Sequence, residues 1–500
     1  MAPTHNSVRS KKVEHVKINR HGAATMSHHQ RKKRLLQRVG AAALVLGLIG
    51  TAGVAGAEEK SLAEREKLTG EWNGLRPAME ARGVELNLQY IGEILGVSGG
   101  LWGGLHPGGG PFATYEGRFD LSLDVDLEKF MGWTGGKFHA RGFQINDAQN
   151  LNAADYVGSI ADPSNIDAYA TTRLFTLWFE QSFGTVASVR VGQLAADDEF
   201  LVSDTAGGLI NGTFGWATIM SANLPSGGPA YPLSAPGVRL QINPSPNFAI
   251  LAAAFGGDPA GKDCYDYDPA ANPQICNRYG TTFSFNGGTF LIGELQYNVN
   301  KEKDSKGLAA SYKIGAWYHT GSFADQQFGV TENGQIVPLA LDPAYPLNHL
   351  GDWGLYGVID QMVWRNGGAS AAVFVRGGVV PANRNLVSWY IDGGVGFKGF
   401  VPGRGDDTLT VGFAYSKISQ DAIQADQNQI IYNGLAWPLR SGEPVLEVSY
   451  IAQVTPWWTV QPDFQIIWKP GGNVPLDEED LALGVIPNAY LFGVRTTVTF

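Results

Sequence analysis

Long apolar runs are scarce in this sequence. After residue 57 no stretch reaches 18 consecutive apolar residues, which argues against a bundle of membrane-spanning helices. Charged side chains are also few, 17% of the chain against about a quarter in an ordinary soluble domain. Extended helical periodicities and buried apolar runs are few as well, so a pair of packed soluble domains accounts poorly for 500 residues. Basic residues are missing where nucleic acid would need them. Of 37 Lys/Arg and 47 Asp/Glu, ten bases and one acid (Glu14) fall in residues 1–57, and the remainder carries 27 bases against 46 acids. So acidic a chain is a poor match for a phosphate backbone. The histidines form no H-E-x-x-H and no paired ligand spacing, and the expectation is of no metal and no cofactor.

Glycine and aromatic residues are plentiful instead, with 65 Gly and 11% Phe, Trp and Tyr. The basic block at the start has its own logic. Arg31-Lys32-Lys33-Arg34 precedes the apolar run Ala41–Ile49, and Ala55-Gly56-Ala57 follows it. That order is the n-region, h-region and A-x-A site of a secretory signal peptide spanning 1–57. A start at Met26 would leave a signal of ordinary length. In residues 58–83, Leu62, Arg65 and Leu68, then Trp72, Leu75 and Met79, have helical spacing, with Gly83 as a stop. One or two short helices are expected there, on the periplasmic side or in the barrel mouth.

From residue 84 onward the segments alternate. Phe119, Leu121, Leu123, Val125 and Leu127 interleave with Arg118, Asp120, Ser122, Asp124 and Asp126. Val84–Tyr90, Leu291–Val299 and Tyr490–Phe500 repeat the pattern, and further segments lie near 136–146, 172–183, 185–193, 237–243, 247–256, 308–319, 353–364, 370–380, 387–400, 408–418, 443–453 and 457–468. Period-two alternation over such lengths gives one face for lipid and one for water. The total is about sixteen strands, and single-chain bacterial barrels close with even numbers. An open sheet of that size would leave edge amides unbonded in hydrocarbon. The expected fold is therefore all-β, a transmembrane antiparallel barrel over 84–500. Its long loops are expected at 95–112, 147–171, 194–236, 257–282 and 320–352, and short turns near Gly184-Thr185 and Pro244–Pro246.

Leu68-Thr69-Gly70-Glu71-Trp72-Asn73-Gly74-Leu75-Arg76, followed by Gly83-Val84, resembles the N-terminal signature of the carbohydrate-selective porins of the OprB family. Arg190-Val191-Gly192-Gln193-Leu194, Ile210–Trp216 and Pro229–Arg239 are similar to further stretches of that family. Phe500 matches the ending that the barrel-assembly machinery reads. The likeness runs from Leu68 to Phe500. It implies a sixteen-stranded outer-membrane porin that admits glucose and other small sugars by facilitated diffusion, without a cofactor or energy coupling.

A pore favouring neutral, hydroxyl-rich solutes needs paired donors and acceptors at a constriction, holding them weakly enough to release them. Arg118 and Asp120 share one strand; Lys137, His139 and Arg141 share the next; Arg190, Arg239, Glu294 and Arg376 stand at lumen parity on others. These are the candidate residues of the solute path. Each also reads as an ordinary solvated lumen charge. Cys264 and Cys276 lie in one long loop of an exported chain, where a disulfide is expected. Asp263, Asp266 and Asp268 nearby read as a solvated acidic loop rather than a calcium site. Gly96-Val97-Ser98-Gly99-Gly100 fits G-x-S-x-G, but the glycine-rich run that continues to Gly110 promises no helix for a nucleophile elbow, so no enzyme is expected. A non-selective porin, an outer-membrane enzyme and an adhesin barrel stay as alternatives.

Overall fold

The computed structural model describes residues 60–500 except 107, 109–110, 148–152, 263, 265–271 and 303–304. The leader read in residues 1–57 and the positions Asp263, Asp266 and Asp268 lie outside the described residues. The alternating segments form β1 (Val84–Gly99), β2 (Phe112–Asp126), β3 (Gly136–Asp147), β4 (Thr172–Phe183), β5 (Ala187–Leu194), β6 (Ala235–Ser245), β7 (Phe248–Gly256) and β8 (Thr289–Val299). They continue as β9 (Ala310–Val330), β10 (Ile336–Pro338), β11 (Tyr345–Asn366), β12 (Ala369–Val379), β13 (Val387–Lys398), β14 (Thr408–Ile418), β15 (Gly442–Thr455), β16 (Trp458–Ile467) and β17 (Ala489–Thr499). Neighbours pair antiparallel, and β1 closes against β17 from Gln89↔Thr499 to Gly99↔Ala489. The short β10 pairs only with the far end of β9, so sixteen strands make the closed wall. Closure satisfies every edge, as hydrocarbon requires.

The outer face carries the apolar half of each alternation. Leu355, Ile359, Val375, Val379, Ile391 and Phe413 are each 45–52% exposed, and together such residues form the lipid-facing band. The longest connections all leave one end of the barrel. The other end carries tight turns such as Gly367-Gly368, where Gly367 takes φ 59° in a two-residue hairpin loop.

Three features depart from the sequence reading. Residues 320–352 are mostly strand, because β9 and β11, 21 and 22 residues long, stay paired beyond the wall (His349↔Phe323, Tyr345↔Val330). The helix Gln420–Asn433, capped by Ser419 Oγ at its start and Gly434 in the left-handed region at its end, packs beside this extension. The span 95–112 is not a plain loop either: β1 runs to Gly99 and the short helix Gly100–Leu105 follows.

The connection between β5 and β6 turns inward and fills one half of the barrel. Phe200, Leu209, Phe214, Ile219, Met220 and Leu224 belong to a buried apolar core with wall residues Leu251, Phe255, Phe290, Trp317, Phe374 and Val445. The inner faces of β7 to β9 and β11 to β15 are therefore largely covered, and part-exposed charged side chains on β2 to β5, such as Asp124, Arg141 and Arg190, mark the wet half of the lumen.

At the turn end, Trp72–Gly74 and Leu75–Ala81 form a short helical segment. It fastens the seam of the barrel. Leu68 N donates to Thr499 O at 2.8 Å, and Arg76 Nη2 donates to Phe500 O at 3.0 Å while its guanidinium stacks 4.2 Å from the Trp72 ring.

Candidate functional site

On the wet half, β2, β3, β5 and β6 each place one arginine on the inner face. Arg141 forks onto Asp120, Nε to Oδ1 at 3.0 Å and Nη2 to Oδ2 at 2.7 Å. Arg118 Nη2 lies 3.7 Å from the same carboxylate, with its guanidinium 4.9 Å from both the Phe143 and Tyr231 rings. Arg190 and Arg239 are direct cross-strand partners. Like charges so placed repel, and two carboxylates resolve the conflict. Glu180 Oε2 sits 2.9 Å from Arg190 and 2.7 Å from Arg239, and Glu199 accepts from both, at 2.8 and 2.7 Å. Arg190 also lies 3.9 Å from the Trp178 ring, which stacks on His139; His139 Nδ1 is 2.6 Å from Asp124.

Glu199 belongs to the inward loop, as do Asp197 and Asp198. Asp198 Oδ1 approaches Arg141 Nη1 at 3.8 Å, and its side chain is 39% exposed. The loop thus presents Asp198 and Glu199 to a row of wall arginines, while Asp197 accepts from Tyr231 N at 2.9 Å. The sequence reading did not single out these acids, nor Glu180 or Trp178. An available signal was the acidic triplet flanked by Ala195-Ala196 and Phe200-Leu201, an apolar setting unusual for a solvated loop.

Wall groups on the filled half hold this loop in place. Glu294 accepts from Leu201 N at 2.9 Å and from Tyr356 Oη at 2.8 Å. Arg376 donates to three loop carbonyls, Leu201 O at 3.0 Å, Thr213 O at 2.9 Å and Gly215 O at 3.1 Å, and pairs with Asp392. Asp360 accepts from Ser203 and Thr205, and Glu447 from the amides of Ile210 and Asn211. Glu294 and Arg376 are buried beneath the loop, 1% exposed each, and do not face the open lumen. Their strand parity was right for the inner face, but a folded loop covers that face. Lys137 stands apart as well, exposed in a charged recess at the turn end with Glu80, Glu85, Asp124, Asp126 and Lys129. The remaining five candidates, Arg118, Asp120, Arg141, Arg190 and Arg239, come together, with Arg239 itself covered by Glu199 of the loop and 2% exposed.

A second segment, between β3 and β4, also turns inward. Glu443 holds it by accepting from Ile160 N at 2.9 Å and Ala161 N at 2.8 Å. Between the two inner segments lies a cleft of about 280 Å³, lined by Asp162, Asn165, Asp167, Asp197, Trp216 and Tyr231 among others. Gln274 lines it too, and its Oε1 accepts from Tyr169 N at 2.7 Å. Gln274 lies in the loop that the Cys264–Cys276 disulfide closes, with an S–S distance of 2.08 Å.

The G-x-S-x-G match is followed by a helix after all, Gly100–Leu105. Ser98, however, shares the outward parity of Ile94, and among the described residues it has no hydrogen bond to a histidine.

A closed sixteen-stranded barrel, apolar outside and narrowed inside by charged loops, is a porin-type barrel. Residues 112–500 match the model of the family described as carbohydrate-selective porin, OprB family. The chain belongs to that family. It is 26% identical to Porin B of Pseudomonas aeruginosa over 498 residues, covering 95% of this chain and 100% of that protein. Its fold is similar to the high-pH structure of Pseudomonas putida OprB, with a TM-score of 0.73 at 23% identity over 88% of this chain and 100% of the other.

Proposed function

We propose that this porin passes small neutral sugars through the wet half of its lumen by facilitated diffusion across the outer membrane. The observation that carries the reading is the row Arg118, Arg141 and Arg190 on the wall, backed by the buried Arg239, paired with Asp120, Glu180 and Glu199 and faced by Asp198 of the inward loop. A sugar hydroxyl both donates and accepts. A path edged by fixed donors and acceptors in close alternation lets each hydroxyl exchange water for protein contacts at little cost. Guanidinium groups suit this task because they are planar, always charged and present several donors at once. Each arginine is already matched by a carboxylate, so a solute's contacts are shared and weak, as release requires. Trp178 and Tyr231, part-exposed beside the arginines, offer apolar edges to the sugar's C–H surface. Lys137, with Glu85 and Asp126, would lie along the exit at the turn end, the periplasmic end in barrels of this kind.

In this reading residues 1–57 are removed on export, 58–83 stay on the periplasmic side, and Phe500 is read during assembly. The test is the swelling rate of liposomes holding the refolded mature protein, in glucose, a disaccharide and an amino acid of glucose's size. Faster swelling in glucose than in the amino acid supports a sugar-preferring path. Swelling ordered by size alone overturns the preference, and no swelling from a folded barrel overturns the channel.

A further inference from the structure

Glycine inside a strand weakens it and needs a reason. On β1 and β2 the reason is visible. A Cβ at Gly117 would stand 2.7 Å from the Tyr90 hydroxyl, and one at Gly92 would stand 3.1 Å from the Tyr90 ring, so that tyrosine lies across both. On the opposite wall it is visible only in part. Gly357 of β11 and Gly377 of β12 are register partners, and each stands between outward residues: Leu355 and Ile359, Val375 and Val379. Neither has a positive φ. A Cβ at Gly357 would meet only Lys313 O, in ordinary contact at 3.6 Å, whereas one at Gly377 would crowd Tyr390 O at 3.2 Å and need a shift of a few tenths of an ångström. Among the described residues no side chain lies across these two glycines as Tyr90 lies across its pair. They form the floor of an apolar trough of about 970 Å³ on the lipid side of the wall.

The trough reaches from Phe248 on β7 to Trp389 and Ile391 on β13. Six adjacent wall strands set about 4.8 Å apart make that distance about 24 Å. It is flanked by the outward side chains Leu355, Ile359, Val375 and Val379. At the turn end it finishes at Tyr297 and Tyr312, and Tyr312 Oη donates to Gln361 Oε1 at 2.5 Å. Tyrosines of this kind sit at head-group level in a bilayer. A second barrel would present a convex wall, which cannot reach the floor of a groove. The geometry points to a resident phospholipid of the periplasmic leaflet, with its acyl chain laid over Gly357 and Gly377 and its head group at the tyrosine end. This site is independent of what passes through the lumen.

The test is native mass spectrometry of the full protein, extracted in mild detergent and supplied with palmitoyl-oleoyl phosphatidylethanolamine. Wild type should retain one lipid per barrel through detergent exchange. The filled variant G357L/G377L should retain at least tenfold less, while V191L, a change on another outward position, should retain as much as wild type. Equal retention by the filled variant, or none by folded wild type, overturns the site. A lipid-free dimer that filling abolishes also overturns it and assigns the trough to a second copy. Should G357L/G377L not fold, phospholipid brominated on its acyl chain serves instead. Quenching should be at least twofold stronger for Trp389, taken as the difference between wild type and W389F, than for the outward Trp353 measured the same way. Equal quenching of the two overturns the site.

Discussion

Arg376→Met separates the wall of this barrel from the loop inside it. The guanidinium is fully buried and supplies charge-assisted bonds to Leu201 O, Thr213 O and Gly215 O while neutralising Asp392. Removing one partner of a buried ion pair costs about 3–5 kcal/mol. Each carbonyl left without a donor costs about 1–3 kcal/mol more. Water from the wet half enters and returns much of the second part, so the net loss falls on loop docking at about 3–5 kcal/mol. At 1.4 kcal/mol per decade that raises the undocked population by about two to more than three orders of magnitude. The wall keeps its own ladders and stays closed. Single-channel recording in planar bilayers should therefore show a heat-modifiable, folded R376M whose current fluctuates toward higher conductance and whose block by glucose weakens. R376M/D392N should recover part of the loss, since no carboxylate is then stranded. A folded R376M with wild-type conductance, noise and sugar block would falsify the assignment of Arg376 as the anchor of the constriction.

Four further outcomes are expected. Asp198→Asn removes the most exposed of the loop acids facing the wall arginines and should shift the zero-current potential in a KCl gradient toward anions by a few millivolts; no shift separates Asp198 from the ion path. Arg76→Ala removes the bond to Phe500 O and the stacking on Trp72, worth about 1.5–3 kcal/mol for a charged hydrogen bond, and should speed urea unfolding at least tenfold with conductance unchanged. C264S/C276S gives up about 3 kcal/mol of loop-closure stabilisation; protease should cut between residues 258 and 288 while the wall stays resistant, and an uncut loop counts against a role in holding Gln274. Asp407, at the end of the turn before β14, is raised by burial, but hydrogen bonds from Tyr450, Arg404 and Gln453 N outweigh this and hold its pKa below the usual value. That contribution is complete above about pH 4 and is lost as the pH falls through the lowered native value. Wild type should thus lose more stability than D407N between pH 5 and 3, and parallel losses refute the linkage.

The wall was legible because its physics is local. Along β2 the alternation Arg118–Leu127 states which side is lipid and which is water, and the same holds for β8 and β17. The interior was not legible, because it depends on a loop meeting strands far away in sequence. Phe248–Gly256 is apolar on both faces, which makes sense only once Leu251, Ala253 and Phe255 are seen to share one buried core with Phe200 and Met220 of the loop. Glu294 and Arg376 have the parity of pore residues, and parity alone cannot tell water from a folded loop. The charged site was half visible: the wall arginines through their strands, the loop acids through nothing periodic. The extension of β9 and β11 hides its pattern behind two register shifts in β11, at Pro346/Asn348 and Leu350/Asp352.

The half-filled interior gives this membrane protein a thermal signature of its own. A barrel wall exchanges apolar surface with lipid rather than with water, so opening it changes the hydration of hydrocarbon groups little. The loop core is different, because it borders an aqueous lumen and would be wetted on release. Positive heat capacity of unfolding follows newly hydrated apolar surface. Calorimetry of the embedded protein should therefore record a curved, water-like component belonging to Phe200, Phe214, Met220 and their neighbours, at a lower temperature than the rupture of the strands, as though a small soluble domain melted inside its container.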